Sequence, residues 1–442
     1  MPRRRAHVPL DVFVNNRLVG HLAKENDGAI RFAYDERWLE WPNAFAISLS
    51  LPLRPTPYAG APVAAVFDNL LPDNADIRRR VAERMGAEGT DAYSLLEEIG
   101  RDCVGAMQFL HEGEKPDPLT DIYGEQVTER EIENILANLA RAPLGMDADH
   151  DFRISVAGAQ EKTALLNHED RWLRPTGTTP TTHILKPQLG EIPTAFGPIN
   201  MAASVDNEHY CLTLLEEFGL KVAPTWIETF GKRRVLVVER FDRLWRGGSE
   251  LLRLPQEDCC QALGVPPARK YQSEGGPSAV QILKLLQQAD NPIEDQSAVL
   301  KCLILFWMIG ATDGHGKNFS IFLRPGGRYA LTPFYDVLSA QPAFDKRQIP
   351  HKSYKLAMSA GKSRTYTIVD IAGRHFVQTG REGGMGPALI GQVIHEILEE
   401  TGTAPARALS RMQADFAKDI HESVAGAIAD RRNLLESGLA EL

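Results

Sequence analysis

Apolar and polar residues alternate over positions 8–14 (V-P-L-D-V-F-V), break at Asn15-Asn16-Arg17, and resume over 18–22 (L-V-G-H-L). A period of two interrupted by an Asn-containing turn predicts a β-hairpin. Positions 30–34 and 46–51 carry the same strand-like character. From 64 to 99 the period lengthens to that of helices, with Asp73 or Asn74 as a cap and Arg78, Arg79 and Arg80 on a solvated face. The stretch 120–139 predicts an amphipathic helix, with Thr128 and Glu131 at capping-box spacing.

Further along, 152–166 predicts two strands around a glycine-containing turn. A strand follows at 182–186, a helix at 204–218 and a strand pair over 226–240. Beyond residue 255 the pattern is mainly helical. Its densest apolar run, 299–309, reads as a buried helix that ends in a tight polar loop, I-G-A-T-D-G-H-G-K-N-F. A short strand at 319–323, a turn at Pro325-Gly326-Gly327 and a return strand over 329–334 come next. The expected architecture is α+β: a two-lobed, protein-kinase-like fold with a β/α N-terminal lobe and a mainly helical C-terminal lobe. Three parts are expected: a β/α subdomain (1–145), a β-rich nucleotide-binding part (146–254) and a helical lobe with the catalytic loop (255–442).

With 442 residues, 43% hydrophobic and 24% charged, the chain has the composition of an ordinary soluble globular protein and room for two or three cores. A net charge of −9 argues against a nucleic-acid-coating protein, though local basic patches remain compatible with it. The three N-terminal arginines, Arg3 to Arg5, precede no apolar signal segment, and the longest apolar run is too short to span a bilayer, so a cytoplasmic protein without membrane attachment is expected. The five cysteines include no C-x-x-C pair and read as reduced core thiols.

The polar loop carries the chemistry. Asp313 precedes Asn318 by five positions, and Asp336 follows the hairpin in P-F-Y-D. Protein kinases space a catalytic Asp and a magnesium-binding Asn in this way, and a second metal-binding Asp comes after them. One carboxylate orients the attacking hydroxyl, while an amide oxygen and a second carboxylate hold the metal on the phosphates. Taken alone, Asp-Gly-His-Gly is equally a surface turn. The helix–loop–hairpin frame around it favours the kinase reading. Lys317, or His315, is placed to neutralise the transferring phosphoryl group, with Lys317 the better candidate because a histidine is largely neutral at physiological pH. Lys186, at a strand end, suits the grip on nucleotide phosphates, with Glu208 as its candidate partner. The loop 155–162 (S-V-A-G-A-Q-E-K) suits a phosphate cover, although its single glycine also fits a common turn. The apolar strand ending in Glu239-Arg240-Phe241 lies where a kinase hinge would hold adenine.

These segments together resemble the HipA family, the serine/threonine kinase toxins of bacterial toxin–antitoxin systems. The resemblance rests on S-L-S-L-P-L (48–53), F-D-N-L-L-P-D (67–73), I-G-R-D (99–102), F-R-I-S-V-A-G-A-Q-E-K-T-A-L-L (152–166), S-V-D-N-E (204–208), V-E-R-F-D (238–242), L-P-Q-E-D (254–258), G-A-T-D-G-H (310–315) and P-F-Y-D (333–336). It implies Asp313 as the catalytic residue, Asn318 and Asp336 as Mg2+ ligands, and ATP bound by Ala157, Gly158, Ala159, Gln160, Glu161, Lys162, Lys186, Glu239, Arg240, Phe241, His315, Gly316 and Tyr335. It implies Ser155 as a site of autophosphorylation in trans that ejects the phosphate-covering loop. It further implies a helix-turn-helix antitoxin dimer of the HipB type as partner, operator DNA met mainly through that antitoxin, and a translation-related substrate, an aminoacyl-tRNA synthetase of the glutamyl type foremost. Gly316 departs from the family pattern, where Ala is frequent, without removing a ligand. Two other functions compete with the growth-inhibiting protein kinase: a catalytically weak corepressor in an antitoxin–DNA complex, and a small-molecule kinase of the aminoglycoside or lipid type.

Overall fold

The computed structural model describes residues 7–146, 151–158, 160–194 and 196–442. The chain divides into two compact units. The first comprises Met1–Pro187, Glu228–Ala268 and Ile321–Tyr329, and the second Gln188–Ile227, Arg269–Ser320 and Ala330–Leu442.

The first unit opens with the expected hairpin. Strand β1 (Leu10–Val14) is buried throughout and pairs antiparallel with β2 (Arg17–Lys24), Val14 facing Arg17. The turn residues Asn15 and Asn16 both take positive φ (44° and 66°), a conformation that asparagine tolerates better than branched residues do. With β3 (Ile30–Tyr34), β4 (Tyr58–Ala59) and β5 (Met107–His111) they form a sheet in the order β4-β3-β2-β1-β5. Three helices come after β4, at Ala61–Asp68, Ala75–Met85 and Ala92–Ile99. Asn74, not Asp73, caps the second: its side chain accepts from the Asp76 and Ile77 amides.

Several local expectations fail, two of them for a visible reason. Residues 46–51 form turns in place of a strand. The buried Tyr34 hydroxyl donates to the Leu51 carbonyl at 2.6 Å and accepts from the Ile47 amide at 3.0 Å, while Ser48 and Ser50 bond each other. These side chains offer the backbone an alternative to a ladder. Arg78 is not on a solvated face, since its guanidinium bonds the Asp68 carboxylate and main chain and the Pro72 carbonyl. The helix expected over 120–139 is confined to Glu129–Ala137, with the Thr128–Glu131 capping box at its start and a short strand, β6 (Gly124–Gln126), before it. Of the two strands expected over 152–166, only β7 (Thr163–His168) forms.

A second sheet runs Thr225–Phe230, Arg233–Glu239, β9 (His183–Pro187), β7, β8 (Arg171–Pro175) and β6. Lys186 lies on β9 opposite Leu236. Gln256–Asp258, Ser320–Arg324 and Arg328–Leu331 make a third, three-stranded sheet containing the expected hairpin after the polar loop.

The second unit is mainly helical. Its central element is Pro292–Ile309, packed by Ala279–Leu286, Pro387–Glu400 and Lys418–Glu436. From Val299 on, nearly every residue of that helix is buried, including Trp307, whose indole N–H donates to the Ile368 carbonyl. Covering each such side chain contributes roughly 1.5–3 kcal/mol, so this helix is a rigid base for the polar loop at its C-terminal end. No described helix is long and apolar enough to cross a membrane. All five cysteines are buried, as reduced thiols.

Candidate active site

The central helix of the second unit stops at Gly310, whose left-handed conformation (φ 69°, ψ 37°) closes it in the manner glycine allows. Three residues later Asp313 is exposed, while Gly314 to Asn318 are buried. The loop is tightly tied. The His315 amide donates to the Asp313 carbonyl (2.8 Å), the Gly316 amide to the Lys270 carbonyl (3.2 Å), and the Tyr335 hydroxyl to the Lys317 carbonyl (2.7 Å). The Tyr335 hydroxyl also pairs with Ser320 at 2.6 Å.

The Tyr271 hydroxyl donates to Asp313 Oδ1 at 2.5 Å, and its ring meets His315 edge-on at 5.1 Å. One carboxylate oxygen is therefore held on an otherwise exposed side chain. Asn318 is buried and its side-chain nitrogen donates to the Asp336 main-chain carbonyl at 3.1 Å. The amide oxygen is then the atom left to accept or to ligate. Asp336 takes a left-handed conformation (φ 60°), unusual outside glycine and typical of functional positions held by their surroundings. Those surroundings are evident three residues on. Asn207 bonds Ser339 reciprocally, donating to its carbonyl and accepting its amide, both at 2.8 Å, and the Ser339 hydroxyl donates to the Ile309 carbonyl at 2.5 Å.

Asp313, His315, Gly316, Lys317, Asn318, Tyr335 and Asp336 are thus gathered in one unit. An amide oxygen and a carboxylate are hard donors suited to Mg2+, which keeps water and phosphate oxygens for its remaining positions. Among the described residues no group of three or more His, Cys, Asp and Glu could enclose a metal without such help. Tyr271, Asn207 and Ser339 were not singled out from the sequence. Asn207 lies inside S-V-D-N-E, but nothing in a linear pattern links it to a serine 132 residues away.

The first unit holds the other candidates. The Ser155 side chain is wholly buried and donates to the Leu70 carbonyl at 2.7 Å, while its amide donates to the Asp102 carbonyl. Past it, Gly158 sits at φ 114°, where a side chain would strain the backbone and run into Lys162 Nζ. That ammonium donates to the Ala157 carbonyl at 2.5 Å, which folds the loop back on itself. Gln160 reaches the Pro187 carbonyl, Glu161 pairs with Arg80, and Lys186 is buried on β9. Ala159 lies outside the described residues.

Glu239 is exposed at its strand end, and the Phe241 ring meets Phe322 at 5.9 Å. The Arg240 side chain is fully occupied elsewhere. Its guanidinium bonds Asp102, Asp242, the Thr181 hydroxyl and the Cys103 carbonyl, and its main-chain amide donates to Thr182. Arg243 and Arg253 complete this buried cluster on Asp102. Burial alone would raise the Asp102 pKa, but Arg243, Arg240 and Arg253 outweigh it and hold the carboxyl well below the usual range. The same burial lowers Arg253 to about 10 despite Asp102 beside it. A group so thoroughly paired positions its neighbours and is not open to a ligand.

Two family models match the chain: the HipA N-terminal domain over residues 10–110 and the HipA-like C-terminal domain over 154–407. A protein of Sinorhizobium fredii named as a kinase, Y4mE, is 35% identical over 426 residues, covering 94% of this chain and 97% of that protein. The serine/threonine-protein kinase toxin HipA of Shewanella oneidensis is 28% identical over 355 residues, 77% of each chain. Among solved structures, the Shewanella oneidensis MR-1 HipA chain, in a complex with HipB and operator DNA, superposes with a TM-score of 0.79 at 23% identity, covering 98% of this chain and 99% of that one. This likeness carries the fold.

Proposed function

The chain belongs to the HipA family, and from that premise we propose that it is an ATP-dependent protein serine/threonine kinase that transfers the γ-phosphoryl group to a serine. The observation that supports this most is the second unit's triad: an exposed Asp313 carboxylate with one oxygen held, an Asn318 amide tied by its nitrogen, and an Asp336 in left-handed conformation. With Oδ1 held by Tyr271, Asp313 Oδ2 accepts the hydrogen bond of the acceptor serine and aims its oxygen in line. The Lys317 ammonium offsets negative charge as it develops, with His315, Gly316 and Tyr335 shaping the loop. Asn318 Oδ1 and the Asp336 carboxylate would hold Mg2+. When bound, that ion polarises the phosphates and neutralises the leaving charge.

From the first unit, residues 157–162 would cover the phosphates, Lys186 would grip them, and Glu239 and Phe241 would meet adenine. Arg240 acts as a positioning residue in this scheme, because its side chain is bound to Asp102, Asp242, Thr181 and the Cys103 carbonyl. The three-part division at residues 145 and 254 belongs to the same reading. Ser155 is the proposed autophosphorylation site. A dianionic phosphate there cannot keep the Leu70 contact, so modification would expel the loop and silence the enzyme.

The biological reading is a cytoplasmic toxin that arrests growth by phosphorylating a translation-related protein, an aminoacyl-tRNA synthetase of the glutamyl type first. A helix-turn-helix antitoxin would neutralise it and join it in repressing their operon, as the HipB and operator DNA in the Shewanella complex suggest. The test is to incubate the chain with Mg-ATP and a panel of purified aminoacyl-tRNA synthetases and map phosphoserine by mass spectrometry. Phosphate on the glutamyl enzyme supports the full reading. Phosphate on a different protein keeps the kinase and replaces the substrate. Binding of ATP with no transfer to any protein would favour the corepressor.

A further inference from the structure

Residues on either side of Gly158 are fastened to one stretch of the N-terminal part, Leu70 to Arg80, within the first unit. The Ser155 hydroxyl donates to the Leu70 carbonyl. The Asp73 amide donates to the Gly158 carbonyl at 3.0 Å, where Pro72 and Gly158 form an isolated parallel bridge. Arg80 Nη2 then donates to Glu161 Oε1 at 2.6 Å, in an ion pair whose side chains are 28% and 32% exposed. The stretch is itself braced. Arg78 bonds the Pro72 carbonyl and both the carboxylate and the carbonyl of Asp68, and Asn74 caps the helix Ala75–Met85 that carries Arg78 and Arg80. Arg80 also donates to the Asp76 and Ala140 carbonyls, which fixes its guanidinium.

We infer that Arg80 is a positioning residue for the phosphate-covering segment, latching it onto the N-terminal part through Glu161. The inference rests on the kinase reading above, adds a regulatory contact to it, and changes the part of Glu161 from nucleotide contact to anchor. Glu161 is the one acidic residue between Ser155 and Lys162. An unpaired carboxylate near a polyphosphate would repel it, and the Arg80 guanidinium offsets that charge. The same latch governs Ser155. Its hydroxyl is wholly buried, so a second copy can phosphorylate it only after the segment has left Leu70 and Asp73. Loosening the pair therefore exposes Ser155 and weakens the cover over ATP together.

The first test needs no nucleotide: hydrogen exchange of the full chain, read by mass spectrometry on peptides containing Ser155 to Lys162. Wild type is compared with Arg80→Glu, Glu161→Arg and the two combined. Each single reversal sets like charges against each other and is expected to speed exchange there about fivefold, while the combined swap restores the wild-type rate. In a second arm, wild-type chain and Mg-ATP act on an Asp313→Ala chain, which serves only as acceptor, with and without Arg80→Glu. Phosphate on Ser155 is expected to appear about fivefold faster with the reversal. Should Arg80→Glu unfold, Glu161→Gln removes the attraction without touching the helix and is expected to move both readouts the same way by about twofold. Exchange that no single variant speeds, or that the combined swap fails to restore, overturns the latch. Faster exchange with an unchanged rate at Ser155 overturns its control of Ser155. No phosphate on any acceptor, with exchange following the pair as expected, overturns the kinase reading while the anchor stands.

Discussion

Two charged regions of this molecule are built on opposite plans. In the first unit, Asp102, Arg240, Asp242, Arg243 and Arg253 are all buried and bound to one another, to Thr181 and to main-chain carbonyls. In the second, Asp313 is exposed and held by one hydroxyl, and Asp336 sits in a strained backbone conformation after its hairpin. Burial with complete pairing gives a rigid joint whose members cannot be removed singly. Exposure with partial pairing leaves an oxygen ready for an incoming group. The contrast separates residues that hold the fold from residues that do the chemistry better than charge or sequence position does, and it moves Arg240 from the second class to the first.

The largest expected effect comes from opening the buried cluster. Asp102→Ala leaves three arginines without their shared carboxylate and should cost about 3–5 kcal/mol, read as a lower urea midpoint or as insoluble protein. A variant as stable as the wild type would break the comparison from that side. On the other side, Asp313→Ala should reduce phosphotransfer by about a thousandfold while shifting unfolding free energy by no more than about 0.5 kcal/mol. Tyr271→Phe removes one hydrogen bond to Asp313. A fall in kcat of about tenfold is expected, with stability changed by about 1 kcal/mol at most, measured by steady-state kinetics beside thermal unfolding.

A further effect is a pH dependence. Glu257, also buried in the first unit, accepts the Leu49 amide at 2.8 Å, and burial raises its pKa to about 8. Because the folded value lies above the unfolded one of about 4.3, the folded state holds the proton more tightly. Its contribution is complete below pH ~4 and declines as pH rises toward 8. Glu257→Gln should flatten that decline and so raise stability near pH 8 relative to the wild type, checked by urea midpoints at several pH values. Asp102 behaves oppositely: its lowered pKa confers stability above the usual carboxylate range that is lost as pH falls through the folded value.

Much of this was legible where physics is local. The strand Ile30–Tyr34, the Thr128–Glu131 capping box and the buried helix before Asp313 follow from periodicity and short-range side-chain chemistry. Failures came where a distant group outbid the local pattern. Residues 46–51 have strand-like character, yet Tyr34 and Glu257 take their backbone groups. Arg78 looked solvated because its partner Asp68 lies ten residues back, across a helix boundary. In the site, the spacing of Asp313, Asn318 and Asp336 was visible, but Tyr271 is 42 residues from the carboxylate it holds. Nor could the sequence show that the Arg240 guanidinium is enclosed, since its partners Asp102 and Cys103 lie more than a hundred residues away.

The most direct test of the kinase assignment is mass spectrometry of the purified chain after incubation with Mg-ATP, beside Asp313→Ala at matched stability. Phosphate is expected on Ser155 in the wild type and none in the variant. Equal phosphorylation of both, or none in a wild type that still binds ATP, would contradict the assignment of Asp313 and the reading built on it.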